Sequence, residues 1–230
     1  MPKRSGKDMI LKVLKEKSSL KQNVFHQNIK VFEEMKGILK EVVAELKHEA
    51  EKIDARIQVD YREKGTYEIE LKIAGDVLFF HMHTNVFEFD KSHPMWKTSY
   101  VRDEPSRSFC GMINIYNFLA DSFKYNRVND VGYMIARIFV NSELHCFVEG
   151  KRQLGFLYND FSKKKIDKQT MKNIIESAIL YALDFDLFTP PFEEMQEVSV
   201  SQILEVSENM RIKTGKRLGF RFQADSDQID

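Results

Sequence analysis

The chain has 230 residues, of which 43% are hydrophobic and 30% are charged, and its 35 basic and 35 acidic residues leave a formal net charge of zero. This length is enough for one large domain or two small ones with a packed core. A neutral chain has no global attraction to nucleic acid or to an anionic membrane, so we do not expect nucleic-acid binding.

Cysteine content and apolar run length indicate the compartment. The two cysteines, Cys110 and Cys146, do not make a secreted disulfide scaffold, and we expect buried free thiols in a reducing compartment. The basic N-terminus lacks the unbroken apolar core of a signal peptide. No stretch approaches the roughly 18 apolar residues that a transmembrane helix needs. We therefore expect a soluble, cytoplasmic protein with no membrane partner.

Residues 1–53 predict an N-terminal helical segment. Met9 to Leu14 are suited to a short amphipathic helix, and Ser18 and Ser19 are candidate N-caps for a long helix from Leu20 to about Ile53. At 1.5 Å per residue the long helix would reach about 50 Å, which is more than one compact sheet needs. It either lies along its own sheet or packs partly against another copy, and the second alternative predicts a homo-oligomer.

Alternating apolar and polar residues then predict a four-stranded meander. Short turns separate the strands, and two of them, a three-residue loop ending in Gly and a two-residue Gly-Asp loop, are common hairpin connections. The predicted strands are Arg56–Arg62, Thr66–Ile73, Val77–His83 and Val86–Asp90, and the predicted turns are Glu63–Gly65, Gly75–Asp76 and Thr84–Asn85.

The remaining sequence predicts a second meander and C-terminal helices. Residues 91–108 are interpreted as a crossing loop, and Phe109–Phe161 as a run of strands broken by turn signals. Asp167 is the candidate cap of a helix that runs to about Phe188. A short helix, Gln202–Met210, and a strand, Leu218–Phe222, are predicted after it.

Together these elements predict an α+β fold. We expect an antiparallel meander sheet of roughly eight or more strands, covered by the long N-terminal helix and a C-terminal helix. The predicted organisation is an N-terminal helical segment at 1–53 that serves oligomerisation, a sheet domain at 54–223 and an acidic disordered tail at 224–230.

The first meander contains the candidate site. With the predicted turn lengths, Glu70 and Glu88 both lie opposite His81, and His83 lies two residues along the same face. Two histidines at this spacing and a carboxylate can ligate one divalent metal. The predicted metal ligands are therefore His81, His83, Glu88 and Glu70.

The spacing of Gly75, His81, His83 and Glu88 resembles the first sequence motif of the cupin family. Cupins are small jelly-roll barrels that often bind a metal through this motif, so the resemblance implies a metal-dependent site of that type. The final glycine of the motif is replaced by Met95, and the second cupin motif, with its third histidine, is absent.

An ordinary solvated sheet face explains the same polar residues, because an antiparallel sheet with one buried face exposes the other to water. The common catalytic motifs for phosphate, dinucleotide, serine-hydrolase and zinc-protease chemistry are also absent. The leading hypothesis is therefore a non-enzymatic binding or assembly module. The alternative is the metal-dependent site, and the sequence leaves the substrate, partner and metal open.

Overall fold

The computed structural model describes residues 5–151, 154–155, 160–187, 189, 191–197 and 199–201. The predicted helix Gln202–Met210, the predicted strand Leu218–Phe222 and the tail at 224–230 lie outside these residues.

One continuous helix forms the N-terminal part of the described chain. Neither Pro nor Gly interrupts the sequence between Gly6 and Gly37, so no residue in this stretch ends the helix. A π-helical turn, Leu14–Ser18, joins its first two parts. The helices of the described chain are α1 (Gly6–Val13), α2 (Ser19–Ile53), α3 (Ser99–Asp103), α4 (Ala120–Lys124), α5 (Lys168–Leu183) and α6 (Phe192–Met195).

The N-terminal helix begins earlier than predicted. The Ser5 hydroxyl accepts the backbone N–H of Asp8, and the Asp8 carboxylate accepts the backbone N–H of Ser5, both at 3.2 Å. This reciprocal pair is a capping box and fixes the start of α1. The predicted start at Ser18 is wrong, because Ser18 has helical dihedral angles and its side chain caps no backbone group of the described chain.

The sheet contains seven antiparallel strands within the described residues. The α+β class and the antiparallel sheet are confirmed, but the predicted count of roughly eight or more strands is not. The strands are β1 (Val59–Gly65), β2 (Glu68–Ile73), β3 (Asp76–Met82), β4 (Phe87–Glu88), β5 (Phe109–Leu119), β6 (Tyr133–Asn141) and β7 (Cys146–Gly150). Their spatial order is β1-β2-β3-β5-β6-β7, and β4 pairs with β5 beyond the end of β3.

The β2–β3 hairpin turns one residue earlier than predicted. Ile73 pairs with Asp76, so the loop is Ala74–Gly75 rather than Gly75–Asp76. Ala74 adopts the left-handed conformation that such a tight turn requires, with φ of 48°, and its N–H donates to Gln58 O at 2.8 Å. Every cross-strand partner is displaced by two residues from the prediction, which leaves each side chain on its predicted face.

The β1–β2 hairpin also differs from the prediction. Residues 63–65 belong to β1 instead of forming the turn, and a bulge lies between Glu63 and Gly65. Within this extension, the Glu63 carboxylate contacts Lys40 Nζ of α2 at 2.6 Å. Val59 pairs with Ile73, four residues further along β2 than the predicted turn implies, and again the faces are preserved.

Helices α2 and α5 cover one face of the sheet and are joined by ion pairs such as Lys168 Nζ to Glu41 Oε2 at 3.0 Å. The predicted cap of α5 is confirmed, because the Asp167 carboxylate accepts the backbone N–H of Thr170 at 2.7 Å. The helix ends at Leu183, before the predicted end at about Phe188. Fully buried side chains between helices and sheet include Phe32, Met35, Leu39, Ile69, Leu71, Phe80, Ile113 and Ile115.

One close contact fixes α2 against the centre of the sheet. The Asn28 amide nitrogen donates to Val24 O at 2.8 Å within the helix and to Val140 O at 3.1 Å on β6. Asn28 lies directly over Gly111, where an added Cβ would be 2.2 Å from the Asn28 Cγ. The glycine therefore permits the close approach of helix and strand.

Short helices cover part of the opposite face. The predicted crossing loop at 91–108 contains α3 and two 3₁₀ turns, Pro94–Lys97 and Pro105–Ser108. They enclose a second, smaller core, whose buried members are Met95, Val101, Cys110, Phe139 and Phe161.

A polar clamp holds this cover in place. The Tyr100 hydroxyl donates to Glu143 Oε2 and accepts from Asn141 Nδ2, both at 2.9 Å, and Arg107 Nε donates to Glu143 Oε1 at 2.9 Å. The Tyr100 ring also stacks on His145, with ring centroids 4.4 Å apart. Burial, assisted by Glu143, raises the pKa of the Tyr100 hydroxyl to about 12.

Candidate functional site

The face of the sheet opposite α2 and α5, here called the open face, carries one row of polar side chains that crosses five neighbouring strands. Cross-strand pairing aligns them directly: each member is the register partner of the next on β2, β3, β5, β6 and β7. Flanking positions along each strand face the helices, so all five side chains lie on the same side. The polar row consists of Glu68, His81, Asn114, Arg137 and Glu149.

Both ends of the polar row are compensated electrostatically. His81 Nε2 lies 3.9 Å from Glu68 Oε1, and Arg137 donates to Glu149 through a short ion pair. His93 reaches Glu149 from the crossing segment, with 3.7 Å between His93 Nε2 and Glu149 Oε1. The row therefore pairs its carboxylates with an imidazole at one end and with a guanidinium and an imidazole at the other.

The centre of the polar row is not compensated. Asn114 is only 4% exposed, yet its Oδ1 accepts no hydrogen bond within the described structure. Its register partners on the two sides are His81 and Arg137, whose side chains are 36% and 41% exposed. A buried carbonyl oxygen without a donor is unusual in a folded protein and requires an explanation.

Apolar rows border the polar row on both sides. Towards α4, Phe79 is the register partner of Tyr116, and Phe79 meets Phe118 edge to face with ring centroids 5.8 Å apart. Towards the crossing segment, Phe139 stacks on Phe147 with centroids 5.5 Å apart. The polar row therefore runs between two sets of aromatic side chains, with Glu70 beside the first set and His83 beside the second.

The predicted pairing of Glu70 with His81 is wrong. Glu70 lies opposite Phe79, and its carboxylate contacts Lys64 Nζ at 2.9 Å. His81 lies opposite Glu68 instead. The cause is the earlier turn of the β2–β3 hairpin, which displaces each partner by two residues.

The predicted pairing of Glu88 with His81 is also wrong, and here the face itself differs. Strand β4 does not fold back on β3, and Glu88 is the register partner of Phe109. It points to the helix side, where its carboxylate oxygens lie 3.9 Å from Lys17 Nζ and 2.8 Å from Lys91 Nζ. Glu88 and His81 are therefore on opposite faces of the sheet.

His83 remains near His81, with ring centroids 6.3 Å apart, and packs against Phe87 at 4.8 Å. The four predicted metal ligands are thus not brought together. Among the residues that the structure describes, no group of three or more His, Cys, Asp or Glu side chains is placed to hold a metal ion.

Sequence reasoning singled out His81 but missed Asn114 and Arg137, the centre of the polar row. The available signal was a polar residue at an outward position of an otherwise apolar strand, Phe109–Leu119. Glu149 pairs with Arg137 of the adjacent strand, a contact that no local sequence pattern indicates.

A second candidate site is the projecting segment, which consists of α1 and the π-helical turn, Gly6–Ser18. The helix leaves the sheet near Lys17, whose Nζ lies 5.5 Å from the centroid of the Phe109 ring. N-terminal to this point, no residue of α1 is buried. Its five large apolar side chains are each at least 51% exposed: Met9, Ile10, Leu11, Val13 and Leu14.

Comparison with known proteins finds no matching family model, no matching curated protein and no matching solved structure. Within the described residues, no helix has the length and apolar character needed to cross a membrane. The function must therefore be inferred from these two surfaces.

Proposed function

We propose that this protein is a binding and assembly module that pairs with a second copy of itself through the projecting segment. The observation that supports the proposal is a capped, preformed helix whose apolar side chains lie outside the core. A preformed helix loses little conformational entropy on binding, so most of the gain from burying its side chains is retained.

The apolar side chains occupy one side of the helix. At about 100° per residue, Met9, Ile10, Val13 and Leu14 fall within an arc of roughly 140°. A second helix is the natural cover for such a stripe, because helical apolar stripes pack well against each other.

The charges beside this stripe favour a second copy as the partner. Lys12 and Glu16 lie on the same flank one turn apart, and they approach each other at 3.9 Å within the helix. In an antiparallel pair related by a two-fold axis, each flank meets the same flank of the partner. With the axis near Leu14, Lys12 of each copy would meet Glu16 of the other copy.

The expected dimer is weak. Full burial of each such side chain is worth about 1.5–3 kcal/mol, and these side chains are already half buried. Eight of them across two copies would contribute roughly 6–12 kcal/mol, against an association cost of about 4–15 kcal/mol. We therefore expect dissociation in the micromolar range or above.

Sedimentation and light scattering of the full chain over a concentration series test the proposal. We expect a monomer–dimer equilibrium that Ile10→Asp or Leu14→Asp weakens by at least about tenfold, because a carboxylate would be buried in the seam. Leu180→Asp is the matched control, since Leu180 is a 65% exposed apolar residue on α5. It should leave the equilibrium unchanged.

Charge reversal tests the two-fold arrangement. Lys12→Glu places like charges on the shared flank and should weaken the dimer, whereas Lys12→Glu combined with Glu16→Lys should restore it. A full chain that stays monomeric at high micromolar concentration would refute the proposal, as would equal effects of the Leu14→Asp and Leu180→Asp changes.

A further inference from the structure

We infer that the polar row binds a neutral ligand bearing a primary carboxamide or a ring lactam, which pairs with the side-chain amide of Asn114. The inference is independent of self-association, because the polar row lies on the open face and the projecting segment lies beyond the sheet edge.

The unpartnered Asn114 oxygen is the first reason. Leaving a buried acceptor without a donor costs about 1–3 kcal/mol, so a donor is expected to occupy this position in the working protein. Asn28 and Asn117 also carry an unpartnered Oδ1, but they lie beneath the helices on the opposite face. Asn114 alone of the three belongs to a face that a ligand can approach.

The charge of the polar row selects a neutral ligand. Glu68 and Glu149 already contact His81 and Arg137, the two basic members of the row, so neither basic group is left free to bind an anion. The guanidinium of Arg137 is paired with Glu149 and sits next to Asn114, which disfavours a cation at the centre. A neutral group that both donates and accepts hydrogen bonds is therefore the best match.

The chemistry of asparagine narrows the class further. Its side chain presents a carbonyl acceptor and an NH₂ donor on one edge, so it pairs with groups that offer N–H and C=O side by side. Primary carboxamides and ring lactams have this edge. A trans secondary amide, as in a peptide bond, points its N–H and C=O in opposite directions and cannot make both bonds.

The neighbours of Asn114 provide both a stacking surface and an entrance. Tyr116 lies two residues along the same face of β5 and is partly exposed, so a planar ligand can pack against its ring. His81 and Arg137 are the register partners of Asn114 on its two sides, and both side chains are more than a third exposed.

Nuclear magnetic resonance of the ¹⁵N-labelled full chain tests the inference, with benzamide as the carboxamide probe and 2-pyridone as the lactam probe. We expect a saturable shift of the Asn114 side-chain amide signal with one or both probes. The probe that binds more tightly shows whether the ligand group is a carboxamide or a lactam. N-methylbenzamide and benzoate should bind at least about tenfold more weakly, since neither presents the paired edge of a neutral cis amide.

Asn114→Leu should abolish saturable binding, measured from the backbone amide signals of His81 and Arg137, while keeping the fold, because an apolar side chain removes the unsatisfied polar group. Asn117→Leu is the matched control: it removes an equally buried amide from the same strand on the other face and should leave binding intact. Non-saturable shifts, equal binding of N-methylbenzamide, or undiminished binding by the Asn114→Leu variant would each overturn the inference.

Discussion

The contact between Asn28 and Gly111 predicts a large effect from adding a single methyl group. In Gly111→Ala, the new Cβ would lie 2.2 Å from Asn28 Cγ and 2.4 Å from both amide atoms, far inside normal contact distance. Asn28 cannot retreat without losing its bond to Val140 O, because it is 1% exposed and held within α2. The methyl group must therefore displace the helix or break the hydrogen bond.

The loss of stability expected for Gly111→Ala can be estimated from these two effects. Overpacking a core costs about 1–3 kcal/mol, and leaving the Asn28 amide or the Val140 carbonyl unpaired costs about 1–3 kcal/mol. We expect Gly111→Ala to lower the free energy of unfolding by about 2–6 kcal/mol, or the melting temperature by on the order of 10 °C. Urea denaturation monitored by circular dichroism would measure the change.

Two further variants make this prediction specific. Asn28→Ala removes all three clashing atoms, so the double variant should be more stable than Gly111→Ala alone, with a coupling of about 1–3 kcal/mol. Gly37→Ala is the control, because nothing lies within 4 Å of its Cβ position in α2, and it should stabilise the protein by about 0.4–1 kcal/mol. A Gly111→Ala variant as stable as the parent would refute the reasoning.

Two more predictions concern titration and thiol reactivity. The pKa of Tyr100 is raised from 10.0 to about 12, so folding should be favoured by its neutral hydroxyl below pH 10 and lose that contribution as the pH rises towards 12; an ultraviolet titration in which Tyr100→Phe removes no late-ionising tyrosine would contradict this. Cys110 and Cys146 are both fully buried, and burial raises the pKa of the Cys146 thiol to about 12. Neither thiol should react with Ellman's reagent until the protein unfolds, so rapid labelling of the native protein would show that the burial is wrong.

The faces of the sheet were predictable from the sequence, whereas the partners across it were not. Apolar and polar residues alternate with a period of two, so a displacement by two or four residues leaves every side chain on its predicted face. The displacements accompany the bulge between Glu63 and Gly65 and the tight turn at Ala74, which has a left-handed backbone. Neither is encoded in the local turn sequence alone.

The position of Glu88 shows where local rules fail. A short loop after β3 suggests another hairpin, but β4 continues alongside β5, to which it is joined through the 91–108 segment. Pairing with a strand that follows much later in the chain depends on which edge is free, and this information is non-local. The predicted contact between Glu88 and His81 required a hairpin of β3 and β4, and the structure does not contain this hairpin.

The polar row also depends on contacts between residues that are far apart in the sequence. Its five members come from five strands, and no short window of the sequence contains more than one cross-strand pair. His81 was singled out from the sequence, whereas Asn114 was not. Its significance emerged once the register placed His81 and Arg137 on either side.

The pairing of α2 with α5 affects the order in which the protein is made. Helix α2 is complete once residue 53 has been synthesised, but its ion pair from Glu41 to Lys168 joins residues 127 positions apart. At about 5–20 residues per second, the ribosome needs roughly 6–26 s to add the next 130 or so residues, through the end of α5. During that interval the apolar stripe of α2 has no finished core to cover it, so we expect the stripe to stay exposed to water on the nascent chain until α5 docks.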